Sequence, residues 1–375
     1  MSDPTLVNPL RYRREFEHLE DGEAETTQAL IATLHGVATT MADSTGHARR
    51  SVHAKNHGLL RATLQVLPGL PPQLAHGLFA EARSYEVLMR LSTPPAEELP
   101  DNVSLPRGLA LKVMGVEGER LSGSEGHSTQ DFVMLNGPSF GRPDARHFLK
   151  DLKLVAATTD KSPGGKQFLS LLLRGAEKVV EAVGGESAKL IGMGGHPQTH
   201  PLGESYFTQL PMLYGPFMGK LMLAPLSPAL QALTKSPLDM KGKPDAMREA
   251  VEQFFNGDGP AEWELRVQLC TDLERMPIED ASALWGEDES PFVAVARISA
   301  GPQTALHADA LLAADDRLAF SPWHGLAAHR PLGSVMRARK EVYEASGQFR
   351  ATRNGCPLHE PREAAEVGLQ RGAAA

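Results

Sequence analysis

The chain has 375 residues, 41% hydrophobic and 22% charged, with 38 basic and 46 acidic side chains giving a formal net charge of −8. That composition is globular and excludes a disordered chain, a miniprotein short of core, and a basic surface built for nucleic acid or anionic membrane. Cys270 and Cys356, far apart in sequence, form neither a disulfide framework nor a CxxC zinc pattern, the opening residues lack an apolar leader, and no run approaches the about 18 apolar residues of a spanning helix. These features predict a cytoplasmic protein without a transmembrane segment.

In chain order, residues 1–24 read as a polar arm that packs on a partner or on its own domain. Leu30, Ile31, Leu34 and Val37 then fall at helical spacing and predict an amphipathic helix over 25–43. From Arg50 to about Leu121 the period shortens. Leu109, Leu111 and Val113 alternate with Ala110 and Lys112, Gly118 marks a turn, and an extended run over 130–138 ends at Pro138, so this region reads as strands. Helices are predicted over 144–156 and 166–183. Residues 184–225 read as loops with short strands, their Met and aromatic side chains packing into core. The stretches at 262–273 and 292–301 read as two further strands, and 305–325 as mixed strand and turn. The last periodic segment, 331–350, predicts a helix whose one face carries Met336, Arg339, Tyr343, Ser346 and Arg350. No period repeats, and the strands predict a mixed antiparallel sheet or barrel.

Generic motifs fail. The run Gly192-Met193-Gly194-Gly195 has no helix after it and reads as a turn. His196 and His200 are spaced for a shared metal, but Pro197 spoils the helix that would align them.

Four segments in order resemble the haem-dependent catalase family. Arg50-Ser51-Val52-His53-Ala54-Lys55 is similar to the family's R-x-V-H-A-K, and Arg90-Leu91-Ser92-Thr93 to its R-F-S-T. Pro106 to Lys112 is similar to P-R-G-F-A-V-K, with Asp131 to Phe140 following, and Phe148 falls at an aromatic position. Near the C-terminus, Phe320-Ser321-Pro322 precedes Arg339, Tyr343 and Arg350, which match R-x-x-x-Y with an arginine seven residues later. The resemblance implies an α+β fold, an antiparallel β-barrel with surrounding helices that lacks the C-terminal helical domain of larger catalases. It implies one haem domain over 1–357, with an arm and helix over 1–44, a barrel with helical insertions over 45–320 and a haem-bearing helix over 321–357, followed by a polar tail over 358–375. The implied cofactor is haem b, and the implied assembly a homo-oligomer.

In that resemblance Tyr343 is the proximal iron ligand and His53 the distal acid-base, oriented by Ser92. Arg50, Arg90 and Arg350 meet the propionates, and Val52, Phe140 and Phe148 surround the porphyrin. Cleaving a peroxide O–O bond needs one group to take a proton from the near oxygen and return it to the far one, which suits histidine. A phenolate favours ferric iron, and Arg339, one helical turn before Tyr343, stabilises that charge. Three buried arginines need an anionic partner, which the propionates provide. A regular strand would put Arg50 and His53 on opposite faces, so the backbone there is expected to bend.

Two positions depart from the family. Leu135 stands where catalases carry the distal asparagine, with Asn136 one position later, where a one-residue bulge would bring it inward. Leu105 replaces the channel aspartate. Both changes remove polar groups from the peroxide route. The expected activity is therefore peroxidase-like work on hydrogen peroxide or organic hydroperoxides, including lipid hydroperoxides as in the catalase-related allene oxide synthases. The alternative is a haem-binding or haem-sensing protein without turnover.

Overall fold

A computed structural model describes residues 7–94, 96–156, 197–257, 260–304 and 308–369. The helix expected over 166–183 and the glycine run at 192–195 lie outside the described residues.

Alternating apolar residues build one sheet. Its strands are β1 (Lys55–Val66), β2 (Ser84–Thr93), β3 (Gly108–Met114), β4 (Thr129–Leu135), β5 (Tyr206–Phe207), β6 (Met212–Tyr214), β7 (Phe217–Pro225), β8 (Ala261–Leu269) and β9 (Val293–Ala300). All pairings are antiparallel, and the order is β5-β4-β3-β2-β1-β9-β8-β7-β6. Because β5 pairs with β7 as well as β4, eight strands close into a barrel and β6 lies beside β7. Closure leaves few free edges.

Side chains on a strand alternate between faces, so each strand feeds two environments. Leu60, Leu64, Met89, Leu111, Phe132, Leu223, Trp263 and Ile298 fill the barrel interior. The outward face of β1 to β3 carries Leu59, Leu88 and Met114, which pack with Phe320 and with Leu311, Ala314 and Leu318. The segment 217–225, expected among loops, is a strand buried at every position but its last, and its residues do pack as core.

The helices form an outer layer. They are α1 (Glu23–Thr45), α2 (Ala145–Ala156), α3 (Ala246–Gly257), α4 (Ala308–Arg317) and α5 (Ser334–Asn354). Leu30 of α1, Leu149 of α2 and Ala338 of α5 share one cluster. Helix α1 starts with Glu23 and Glu25 at its positive end and stops at Gly46, whose left-handed φ of 74° lets its N–H reach the Ala42 carbonyl. The described part of the arm packs on its own barrel, where the Leu10 and Tyr12 N–H groups donate to the Cys270 and Pro216 carbonyls.

One expectation is overturned. The stretch read as mixed strand and turn contains α4, a ten-residue helix. Leu311, Ala314 and Leu318 recur at three and four residues and are buried, a helical stripe half hidden by its many alanines. Helix α3 carried no sequence expectation; it buries Val251, Phe254 and Phe255 by the same spacing.

Helix α5 is fixed at its start by Gly333, with φ of 89° and room for no more than hydrogen: a Cβ there would lie 2.4 Å from the Ile278 carbonyl oxygen. Gly333→Ala is therefore expected to destabilise the protein by more than about 1 kcal/mol, read as a lower urea midpoint with an unchanged slope.

Candidate functional site

The outward face of the barrel and helix α5 form the two walls of a cleft open to solvent, the concave setting in which small molecules and cofactors bind. The period of two that puts Leu60 and Met89 inside also puts Arg90, Ser92, Gly108, Ala110 and Val133 outside, as the register pairs Arg90 with Ala110 and Ser92 with Gly108. The helical period brings Tyr343, Ser346 and Arg350 to the same cleft from the other wall. Ser51 Oγ and Ser346 Oγ, 2.9 Å apart, join the walls.

His53 lies just before β1 in a bend, as the alternation argument requires, with a left-handed φ of 55° that a non-glycine residue rarely adopts. Its Nδ1 is 3.1 Å from Ser92 Oγ. Gly108 makes room for it, since a Cβ at that position would lie 2.6 Å from the imidazole. Burial first, then Arg90, Arg339 and Arg50, push the His53 pKa down to about 3. The ring is neutral at physiological pH, so one nitrogen keeps a lone pair for a proton.

On the helix wall, Arg339 Nη2 donates to Tyr343 Oη at 2.6 Å, and its guanidinium carbon lies 5.1 Å from the ring centre. That contact stabilises negative charge on the phenol oxygen. Val52 lines the cleft, whereas Arg339 stands one layer behind it.

The three other arginines converge on a side chain that the sequence reasoning missed. Arg90 grips Asp315 of α4 through Nε at 2.7 Å and Nη2 at 2.8 Å, and Arg50 Nη2 is 3.3 Å from Asp315 Oδ1. Arg350 donates to the Asp315 and Leu318 carbonyls at 2.7 and 3.2 Å. Thus an internal carboxylate partly meets the demand for an anion that the sequence had assigned to propionates. The demand is not exhausted. Three guanidiniums face one carboxylate, and Arg50 Nε is buried without a hydrogen-bond partner among the described residues. Burial, then Arg350 and Arg90, lower Arg50 to a pKa of about 9 against the opposing pull of Asp315. A dianionic ligand, a neutral histidine and an arginine-backed phenol are mutually compatible, so these residues fit a haem.

Three other candidates lie away from the cleft. Asn136 accepts from the Arg107 N–H at 2.8 Å and donates to Glu204 Oε2 at 2.6 Å, a bracket pinning the start of β3 to residues 197–204. Phe140 and Phe148 meet at a tilt of 57° with ring centres 5.2 Å apart and pack behind α5, Phe140 with Leu210 and Met336, Phe148 with Leu30 and Ala338. Leu135 shares the outward face with Val133 but is not among the lining residues. His200 caps a short turn by accepting from the Leu202 N–H at 3.2 Å.

Burial raises the Asp315 carboxyl, but Arg90 and then Arg50 overcome it and hold it well below the usual carboxylate range. Its contribution to stability is then complete above the unfolded value near 4 and is lost only as pH falls into strong acid. Asp315→Asn strands buried guanidiniums and is expected to cost about 3–5 kcal/mol at pH 7 in urea unfolding, with the gap to wild type closing only in strong acid.

No protein-family model and no curated protein matches the chain. Solved structures do. A fungal catalase superposes with a TM-score of 0.61 at 16% identity, covering 88% of this chain and 64% of that one. Catalase A from Saccharomyces cerevisiae gives 0.59 at 16% identity, covering 89% and 67%, and a bacterial catalase 0.57 at 18% identity, covering 90% and 64%. The chain thus spans about two thirds of the length of these catalases. With its closed eight-stranded antiparallel barrel and flanking helices, it has the catalase fold.

Proposed function

We propose that the chain is a haem-dependent oxidoreductase of catalase type that acts on hydrogen peroxide or organic hydroperoxides. The observation that carries this reading is the cleft itself, with a neutral histidine on the barrel wall and an arginine-backed tyrosine on the helix wall. Tyr343 would hold the iron of haem b. Arg50 and Arg350, which touch Asp315 less fully than Arg90 does, would take its carboxylates. The electrons that cleave the O–O bond would come from the haem when bound.

The protein's own part is proton transfer and exclusion. With Nδ1–H donating to Ser92 Oγ, His53 Nε2 is free to take the proton from the near oxygen of a hydroperoxide and hand it to the far oxygen, which leaves as water or an alcohol. Depression of the His53 pKa keeps Nε2 unprotonated through the physiological range. The cleft is apolar around it, lined by Val52, Ala110, Val133 and Phe320. Asn136 is held by Arg107 and Glu204, and no asparagine lines the cleft among the described residues. These two features favour organic over small, strongly hydrated hydroperoxides.

The test reconstitutes the chain with haem beside Tyr343→Phe and His53→Gln. Wild type is expected to give a high-spin ferric spectrum that Tyr343→Phe shifts, with haem retained about tenfold more weakly or worse. His53→Gln is expected to keep that spectrum while slowing hydroperoxide consumption about 10²–10⁴-fold. A wild-type rate in His53→Gln would remove His53 from the chemistry, and no hydroperoxide consumption by the haem-loaded wild type would leave a haem-holding protein without turnover; failure to take up haem, or an unchanged Tyr343→Phe spectrum, would sink the whole reading.

A further inference from the structure

On the same outward barrel face, beyond the cleft, three metal-ligating side chains from distant segments meet. His127 stands on the turn between β3 and β4, His324 follows α4, and Glu360 lies in the segment after α5. One ligand atom from each lies within 4.8 Å of the others, and His324 Nε2 is 3.5 Å from Glu360 Oε1. Ligands of one tetrahedral zinc at about 2.0–2.1 Å stand about 3.4 Å apart, so closing the set takes a movement of less than the length of one bond. His127 is the member able to make it: it is exposed, and Gly123 and Gly126 in its turn take left-handed φ values of 91° and 81°. Its ring already stacks on His324 at 5.1 Å between centroids.

The surroundings fit a cation. Glu360 Oε1 is held by Lys112 Nζ at 2.6 Å and by the Thr129 hydroxyl, which also lies 2.8 Å from His324 Nε2, so the carboxylate and the imidazole are fixed relative to each other. Lys112 is paired with buried Asp131 at 2.8 Å as well as with Glu360. Two imidazoles and one carboxylate with a solvent-facing fourth corner suit zinc and its neighbours, not calcium or magnesium.

We propose that His127, His324 and Glu360 form a zinc-class transition-metal site that clips the segment after α5 to the barrel. That segment is otherwise attached by the His359 N–H to the Arg317 carbonyl at 2.7 Å, by the Ala364 N–H to Glu86 at 2.9 Å, and by Ala364, Val367 and Leu369 against the outer cluster. A metal would tie residues 127, 324 and 360, and so the exit of α5, at one point; the site stands whether or not haem binds.

The experiment titrates zinc(II) calorimetrically into the full chain stripped with chelator, beside His127→Ala and, as a control, His147→Ala on the exposed face of α2. One equivalent is expected to bind wild type and His147→Ala equally, to raise their thermal midpoints, and to bind His127→Ala at least tenfold more weakly with no rise. Cobalt(II) in the same site is expected to show the strong visible absorption of four-coordinate geometry. Because His127 is exposed, its removal spares the fold, which circular dichroism checks. Equal zinc affinity and equal midpoint shifts in wild type and His127→Ala would overturn the proposal, as would octahedral cobalt in all three proteins.

Discussion

Four segments that are remote in sequence meet at Asp315. Arg50 comes from the bend before β1, Arg90 from the middle of β2, Arg350 from α5 and Asp315 itself from α4. Hydrophobic packing holds the barrel together from within, but it has no means of setting the orientation of helices laid on its outer face, because apolar contact is non-directional. Charge-assisted hydrogen bonds do have direction. Once Arg90 holds Asp315 on two atoms, the end of α4 is fixed against β2, and the Asp315 and Leu318 carbonyls there become acceptors that fix Arg350 and with it the register of α5. The position of Tyr343, two turns back along that helix, follows from this cluster as much as from α5 itself. The same cluster keeps an excess of positive charge at the cleft, which would draw a ligand bearing carboxylates.

Helix α5 is secured at its other end by an independent set of charges. Arg337 reaches Glu23 at 2.6 Å and Glu279 at 2.9 Å, joining α1 and the loop after β8 to the first turn of the helix. Burial opposes the Arg337 charge, but the hydrogen bonds it donates to Glu23 and Glu279 outweigh that and hold it firmly protonated. A helix whose own sequence is markedly polar is thus placed by ion pairs at both ends and by one apolar stripe, with Val335, Met336 and Ala338 buried. That arrangement tolerates wide sequence change elsewhere, which accords with a fold shared at 16–18% identity.

What could be read in the sequence was local or periodic. The strands over 55–66, 108–114, 261–269 and 293–300 show their alternation because one face meets core and the other meets a different layer, and the tyrosine-bearing face of α5 follows from a spacing of three and four. The bend at His53 was also legible, since two residues three apart on a strand cannot share a face. Helix α4 was not, because alanines blur a stripe only three residues long. Asp315 was invisible for a different reason: its partners are 225 and 265 residues away in sequence, and nothing in an acidic residue announces which arginine it will meet. Asn136, just past the end of β4, sat close enough to be imagined in the cleft, yet Glu204 and Arg107 claim it, a pairing that spans 68 and 29 residues.

Gly108 shows how the local and the distant parts depend on each other. Its place after Pro106-Arg107 is a matter of a few residues, but the absence of a side chain there is what lets His53 occupy its strained backbone conformation and lie beside Ser92. A residue at φ of 55° without glycine's freedom costs of order 1–3 kcal/mol and persists only if its surroundings hold it. Here the His53 carbonyl accepts from Arg90 Nη2 at 3.0 Å. The guanidinium that binds Asp315 therefore also holds the histidine's backbone, and its charge adds to burial in keeping the ring neutral. One arginine couples the placement of the helical wall to the proton affinity of the histidine on the barrel wall, so the two halves of the cleft are not free to vary separately.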